Sequence, residues 1–310
     1  MVIELTRVTK LYRTVIGVND ISLSLEPGAH GLLGPNGAGK STFINLVTGQ
    51  LKPTRGQVRV FGLNPWNRSD VLRRIGVCPG DEALYSNVSG WDWVRYLVEL
   101  HGYRRSEAAK RAGLALEKLG MASAMHRPIG TYSRGMRQRT KLAQAIAHEP
   151  ELLILDEPFS GLDPIGRHLV MELLLEHTQR GGSLVLASHV LHEVEAVSPA
   201  FLLICGGRLL ASGTAQEIAQ LMADLPSDIE IVCDRPHELA HCMLREEAVR
   251  AVGFRGSARL VVSTSRPLTI YQALPRWAAE LGVRIDEVHS PDDSLQTLFD
   301  SLLRVHRGGS

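Results

Sequence analysis

No run of apolar residues in this 310-residue chain approaches the about 18–20 needed to cross a bilayer. The opening MVIELTRVTK lacks the long apolar stretch after a basic one that marks a secretory signal. The expectation is therefore a cytoplasmic chain with no direct membrane insertion, meeting a membrane only through a partner. An excess of one charge is also missing. Thirty-four Lys and Arg stand against 33 Asp and Glu, a formal net charge of +1, which excludes broad electrostatic attraction to nucleic acid or to anionic lipid. Cysteine is scarce. Cys78, Cys205, Cys233 and Cys242 form no CxxC pair and no disulfide framework, so reduced thiols are expected. One local group remains open, Cys233, His237, His241 and Cys242. The four-residue spacing of the two histidines places both rings on one helix face, as a metal would require. Against this, Cys242 follows His241 directly and points elsewhere, so incidental histidines on a helix are the simpler reading. There is no internal repeat and no low-complexity segment.

What is present is ordinary globular composition, 44% hydrophobic and 22% charged, with strands and helices in alternation. Residues 2–9 and 20–25 alternate apolar and polar, a half-buried strand pattern. His30 to Leu33 form a short strand running into Gly34, and residues 41–48 form a helix stopped by Gly49. Residues 91–100 and 106–119 carry apolar residues at helical spacing, within a helix-rich stretch of about 85–149. Residues 152–155, 183–187 and 201–205 read as strands buried on both faces, as in a parallel sheet. The order argues for an α/β core. After a helix that begins near Ala215, Pro226 and Ser227 mark a linker. The tail reads as strand 229–233, helix 236–250, strand 252–255, strand 258–264, helix 267–281 and strand 283–288, a β-α-β-β-α-β order of ferredoxin-like type. A last amphipathic helix is expected over 292–304.

Residues 34–41, GPNGAGKS, fit the phosphate-loop pattern GxxxxGK[ST] in full, between a strand and a helix. Gly34, Gly37 and Gly39, with Asn36 and Ala38, let successive backbone amides face phosphate, and the following helix offers its positive end to the anion. Lys40 is expected to reach the β- and γ-phosphates of a nucleotide, Ser41 to ligate Mg²⁺, and Thr42 to donate to phosphate; alone the pattern covers kinases, GTPases and motors. The second element is LLILDE, Leu152 to Glu157. It sets Asp156 at the carboxyl end of a buried strand, suited to hold Mg²⁺ through a water, and beside it Glu157, suited to act as general base.

Tyr132-Ser133-Arg134-Gly135-Met136-Arg137-Gln138-Arg139, shortly before LLILDEP, resembles the signature motif of ABC transporter cassettes, LSGGQ in the family. Ser160 to Asp163 (SGLD) resembles the D-loop, and Ser188-His189 the switch histidine. Tyr12, 28 positions before Lys40, is similar to the aromatic that stacks on adenine. The resemblance covers residues 2 to about 222. It implies a P-loop NTPase cassette, a mixed-sheet α/β core with a helical subdomain over about 85–149, spanning residues 1–222. A small C-terminal α+β ferredoxin-like accessory domain follows over 228–310. It also implies a catalytic set of Glu157, His189 and Lys40, with ATP shared head to tail between two cassettes, a second copy or a paralogue. Lys40 and Ser41 of one subunit and Ser133 and Gly135 of the other would grip it, with Asp163 at the interface. The motion would drive a separate transmembrane permease, and the tail segment SPDDSLQTLF resembles export-type cassettes. The cassette would then be peripheral to the cytoplasmic face of the membrane.

Two departures bear on this. Arg134 and Met136 replace the common Gly and Gln of the signature, while Ser133 and Gly135 are kept. Gly80 follows Pro79 where the family's Q-loop has Gln or Glu, which predicts slower or differently coupled hydrolysis unless Asp81 or Glu82 substitutes. Replacing Gly80 by Gln would then raise turnover. The competing readings are a soluble ABC ATPase acting on nucleic acid or ribosomes, and an ATP sensor without turnover. The first is disfavoured by a single cassette, by 93 positions from Lys40 to Ser133 and by the absence of basic excess.

Overall fold

The computed structural model describes residues 1–81, 84–221, 227–264 and 266–289. By its internal contacts the chain divides into two compact units, Met1–Thr214 and Ala215–Ser310.

The first unit opens with β1 (Ile3–Tyr12) and β2 (Val15–Leu25), followed by β3 (Ala29–Leu33), α1 (Lys40–Val47), β4 (Arg55–Val60), α2 (Ser69–Leu72) and β5 (Ile75–Cys78). Three helices come next, α3 (Gly90–Leu100), α4 (Arg105–Lys118) and α5 (Arg134–Ile146). The chain then alternates through β6 (Leu152–Asp156), α6 (Pro164–Gln179), β7 (Ser183–Ser188), α7 (Leu191–Glu195), β8 (Ala200–Cys205) and β9 (Arg208–Thr214). The strands form a three-stranded antiparallel sheet, β2-β1-β4, and a six-stranded sheet, β5-β6-β7-β3-β8-β9. In the larger sheet β5 to β8 run parallel and β9 is an antiparallel edge.

Side-chain chemistry explains the layering. Leu152, Leu153, Ile154 and Leu155 are each no more than 1% exposed, because a central parallel strand is covered on both faces and has no polar side. Phe43, Ile44, Leu46 and Val47 of α1 bury into one core cluster with residues of both sheets. That places α1, and the loop before it, against the central strands. Register does the rest. Leu33 of β3 pairs with Ser188 of β7, and Ala187 pairs with Asp156 of β6. The ends of three strands therefore lie level at the carboxyl edge of the sheet, where α/β folds hold ligands. The helices α3, α4 and α5 pack on one another, and α5 also packs on β5.

The second unit begins with α8 (Ala215–Leu221) and continues with β10 (Ser227–Cys233), α9 (Pro236–Met243), β11 (Val249–Arg255), β12 (Arg259–Thr264), α10 (Pro267–Leu281) and β13 (Ile285–His289). Its sheet order is β11-β12-β10-β13, antiparallel throughout, which is the split β-α-β-β-α-β arrangement. Alternate residues Ile229, Ile231 and Cys233 meet Leu239, Met243, Ile270, Leu274 and Trp277 in a separate core. The helix expected over 236–250 ends at Met243. Val249 already pairs with Thr264, whose hydroxyl donates to Ala248 O at 2.6 Å, so the sheet takes that stretch over. Pro226 and the helix expected over 292–304 lie outside the described residues.

Candidate active site

The phosphate loop joins β3 to α1 with geometry that only glycine tolerates at two positions. A Cβ at Gly34 would fall 2.1 Å from Ile204 O. At Gly39 φ is +110° and a Cβ would fall 2.4 Å from Gly17 O. Gly39 precedes Lys40, the first residue of α1, so the helix amides open toward the loop. Lys40 is 7% exposed, and its Nζ donates to Gly34 O at 2.6 Å and to Pro35 O at 3.4 Å. Burial pulls its pKa down, against the pull of Glu157 and Asp156.

Ser41 Oγ donates to Asp156 Oδ2 at 3.1 Å. Burial raises the Asp156 pKa, the Ser41 hydrogen bond lowers it, the neighbouring Glu157 charge raises it, and Lys40 and Lys141 lower it. A hydroxyl and a carboxylate side by side suit Mg²⁺, a hard cation that takes oxygen ligands, keeps several waters and needs few protein groups when phosphates supply the others. Among the described residues no group of three or more His, Cys, Asp or Glu could hold a metal. In the second unit Cys233 is buried in the core and the His237 ring lies 4.4 Å from that of Phe254.

Glu157 is the next residue, with φ of +50°. Its N–H donates to Ala187 O at 2.8 Å. Its Oε1 accepts from His189 N at 3.0 Å and pairs with His189 Nδ1 at 2.7 Å, while Ser188 Oγ donates to Oε2 at 3.3 Å. Ser188 also bonds Glu193 Oε2 at 3.3 Å, and Glu193 pairs with Arg167 at 3.0 Å. Glu157 and His189, 32 residues apart, are thus joined directly.

A cavity of about 370 Å³ is lined by Tyr12, Val15, Ile16, Gly17, residues 35–42, Gly80, Asp156 and Glu157. Tyr12 ends β1 and its hydroxyl lies 3.5 Å from Thr42 Oγ1. The structure therefore gathers Tyr12, Asn36, Gly37, Ala38, Gly39, Lys40, Ser41, Thr42, Asp156 and Glu157 around one space, with His189 behind Glu157. Ser133 and Gly135 do not line it. Ser133 is exposed and caps α5, its Oγ accepting from Met136 N at 3.2 Å. Arg134 donates to Ser160 Oγ at 2.8 Å, and Arg139 to Asp163 Oδ1 at 2.8 Å, so the signature and the SGLD loop are tied within one chain. A larger cavity of about 790 Å³ lies at the amino ends of β6 and β7, lined by Glu151 and Ser183 among others, and includes no phosphate-loop residue.

Sequence reasoning missed Glu193, Arg167, Gln138 and Lys141. Gln138 Nε2 donates to Glu157 O at 3.3 Å and to Pro158 O at 2.9 Å. No local pattern signals such contacts. Val15 and Ile16, exposed apolar residues, could have been suspected from their place beside Tyr12.

Residues 18–160 match the family model described as ABC transporter. The bacitracin transport ATP-binding protein BcrA of Bacillus licheniformis is 36% identical, over 67% of this chain and 68% of its own. The ABC transporter ATP-binding protein sll0415 of Synechocystis is 32% identical over 70% of this chain, and the match spans only 64% of that relative's length. The dimeric cassette MJ0796, solved in a post-hydrolysis state bound to ADP and Pi, is 22% identical with a TM-score of 0.65, covering 68% of this chain and 98% of that one, a likeness of fold. No helix among the described residues is long and apolar enough to cross a membrane. The phosphate-loop geometry and these relatives agree, and the chain belongs to the ABC transporter family.

Proposed function

We propose that this chain binds Mg²⁺-ATP in the 370 Å³ cavity and hydrolyses it in a pair of cassettes that drives a separate transmembrane permease, in the direction of export. Tyr12 stacks on adenine. The loop amides, Lys40 and Thr42 hold the phosphates, and Ser41 with Asp156 hold Mg²⁺, Asp156 through a water. When bound, the cation neutralises charge on the β- and γ-phosphate oxygens. Glu157 accepts the proton of the attacking water, whose oxygen bonds to the γ-phosphorus as the bond to ADP breaks. His189 orients the Glu157 carboxylate and faces the γ-phosphate. Lys40 and the α1 amides stabilise the developing charge.

The observation that carries this reading is the convergence of Lys40, the Ser41–Asp156 pair and the Glu157–His189 pair on one sheet edge. The exposed, capped serine of the signature lies outside that cavity, which supports a site completed by Ser133 and Gly135 of a second copy. The tail, with a core of its own, acts as an accessory unit, within bounds of 1–222 for the cassette and 228–310 for the extension. BcrA's role in bacitracin transport supports the export direction.

The test is Glu157→Gln. Nucleotide binding is expected to persist within about threefold while turnover falls at least about 100-fold, as loss of a general base implies, and the variant sediments as a dimer in Mg²⁺-ATP. A variant that still turns over, or stays monomeric with ATP bound, sinks the reading.

A further inference from the structure

Lys141 is a buried cation that the mechanism above does not use. It lies on α5 and is 4% exposed. Its Nζ donates to Pro79 O at 2.9 Å and to Asp81 O at 2.8 Å, the two carbonyls on either side of Gly80. Charge-assisted bonds of this length are among the stronger hydrogen bonds in a protein. They fix the main chain of three consecutive residues to the helix.

The position they fix is close to the metal side of the site. A Cβ built on Gly80 would stand 3.1 Å from Asp156 Oδ2 and 3.2 Å from its Cγ. That is the oxygen to which Ser41 donates. Three residues earlier on the same helix face, Gln138 holds the carbonyls of Glu157 and Pro158. The two loops that flank Asp156 are thus hung from α5 by main-chain carbonyls.

We propose that Lys141 is a positioning residue for the Ser41–Asp156 pair. It holds the Pro79–Asp81 backbone so close to Asp156 that a side chain at position 80 must push the carboxylate aside by a few tenths of an ångström, and the loop meets the metal side with main chain alone. This rests on the reading of Ser41 and Asp156 as the residues that hold Mg²⁺, Asp156 through a water. It reverses the expectation from sequence that a glutamine at position 80 would speed hydrolysis. A side chain there presses on the carboxylate that holds the cation.

The test reads the Mg²⁺ concentration at half-saturation, both for turnover and for binding of a fluorescent ATP analogue, in the full chain. Gly80→Ala is expected to raise it at least about fivefold, with nucleotide affinity in the absence of Mg²⁺ unchanged. Lys141→Met, which keeps the length of the stem, raises it similarly. In the double variant the effects do not multiply, because a released loop no longer drives the alanine methyl into Asp156. Either single variant within about twofold of the parent, or a double variant whose effect is the product of the two, overturns the proposal. Gly80 lies in an exposed loop, so its variant reports even if Lys141→Met does not fold. A parent chain without turnover would fault the hydrolytic reading instead, and the binding measurement would still decide the role of Lys141.

Discussion

At Glu157 the backbone turns into the left-handed region, φ +50°, a conformation that costs a non-glycine residue about 1 kcal/mol or more. Hydrogen bonds hold it there, from its own N–H to Ala187 O and from Gln138 to its carbonyl. The side chain is then met by Ser188 and His189. A second residue with an unusual setting lies away from the site. His148, at the end of the signature helix, is 4% exposed. Its ring stacks on His101 at 3.7 Å, its Nε2 lies 3.1 Å from Ile75 O, and its Nδ1 has no partner among the described residues. Burial lowers its pKa to about 4, helped by the charge of His101. The unfolded chain protonates this histidine near 6.5 while the folded chain holds it neutral down to about 4. Stability is therefore unaffected above about pH 6.5 and falls as pH drops through the interval below. Between about pH 7.5 and about pH 5 the loss from this residue is about 2 kcal/mol. Urea unfolding at the two pH values checks it. His148→Gln is expected to flatten that part of the pH dependence, and parallel curves for parent and variant would contradict the assignment.

At the scale of elements, α5 organises the site. Its first turn is capped by Ser133, Arg134 reaches Ser160, and Arg139 reaches Asp163, which itself caps α6 through Gly166 N at 2.9 Å. Farther along, Gln138 and Lys141 hold the loops on both sides of Asp156. On the proposed reading the serine has two separable roles, capping its own helix and meeting phosphate across a pair. Ser133→Ala is expected to lower stability by about 1 kcal/mol, the usual value of such a cap. Ser133→Asp keeps a capping oxygen, so its melting temperature stays within a few degrees of the parent. Yet it sets a negative charge against the phosphates, and ATP-dependent pairing is lost. If Ser133→Asp pairs as the parent does, Ser133 only caps the helix.

At the scale of the whole molecule, the parts legible in the sequence were those in which chemistry and spacing are local. The phosphate loop needs glycine at Gly34 and Gly39 for reasons of close approach, and that need appears directly as a pattern. The four apolar residues before Asp156 announce a strand covered on both faces. The alternation of Ile229, Ile231 and Cys233 announces the small sheet. The edge strands Arg55–Val60 and Arg208–Thr214 were not foreseen, because their burial is partial, and the partner of the first, β1, is remote in the chain. The partners of Lys141 and Gln138 are 19 to 62 positions away in the chain, beyond the reach of periodicity. The most direct measurement of the central claim, a site shared between two copies, mixes two inactive variants, Lys40→Ala and Ser133→Asp. A mixed pair holds one complete site, with Lys40 from one copy and Ser133 from the other. Turnover in an equimolar mixture is predicted to recover to about half of the parent, since neither variant pairs with itself in ATP, the pairs are mixed and each has one of its two sites working. A mixture as inactive as its components, despite proven pairing, would contradict the account.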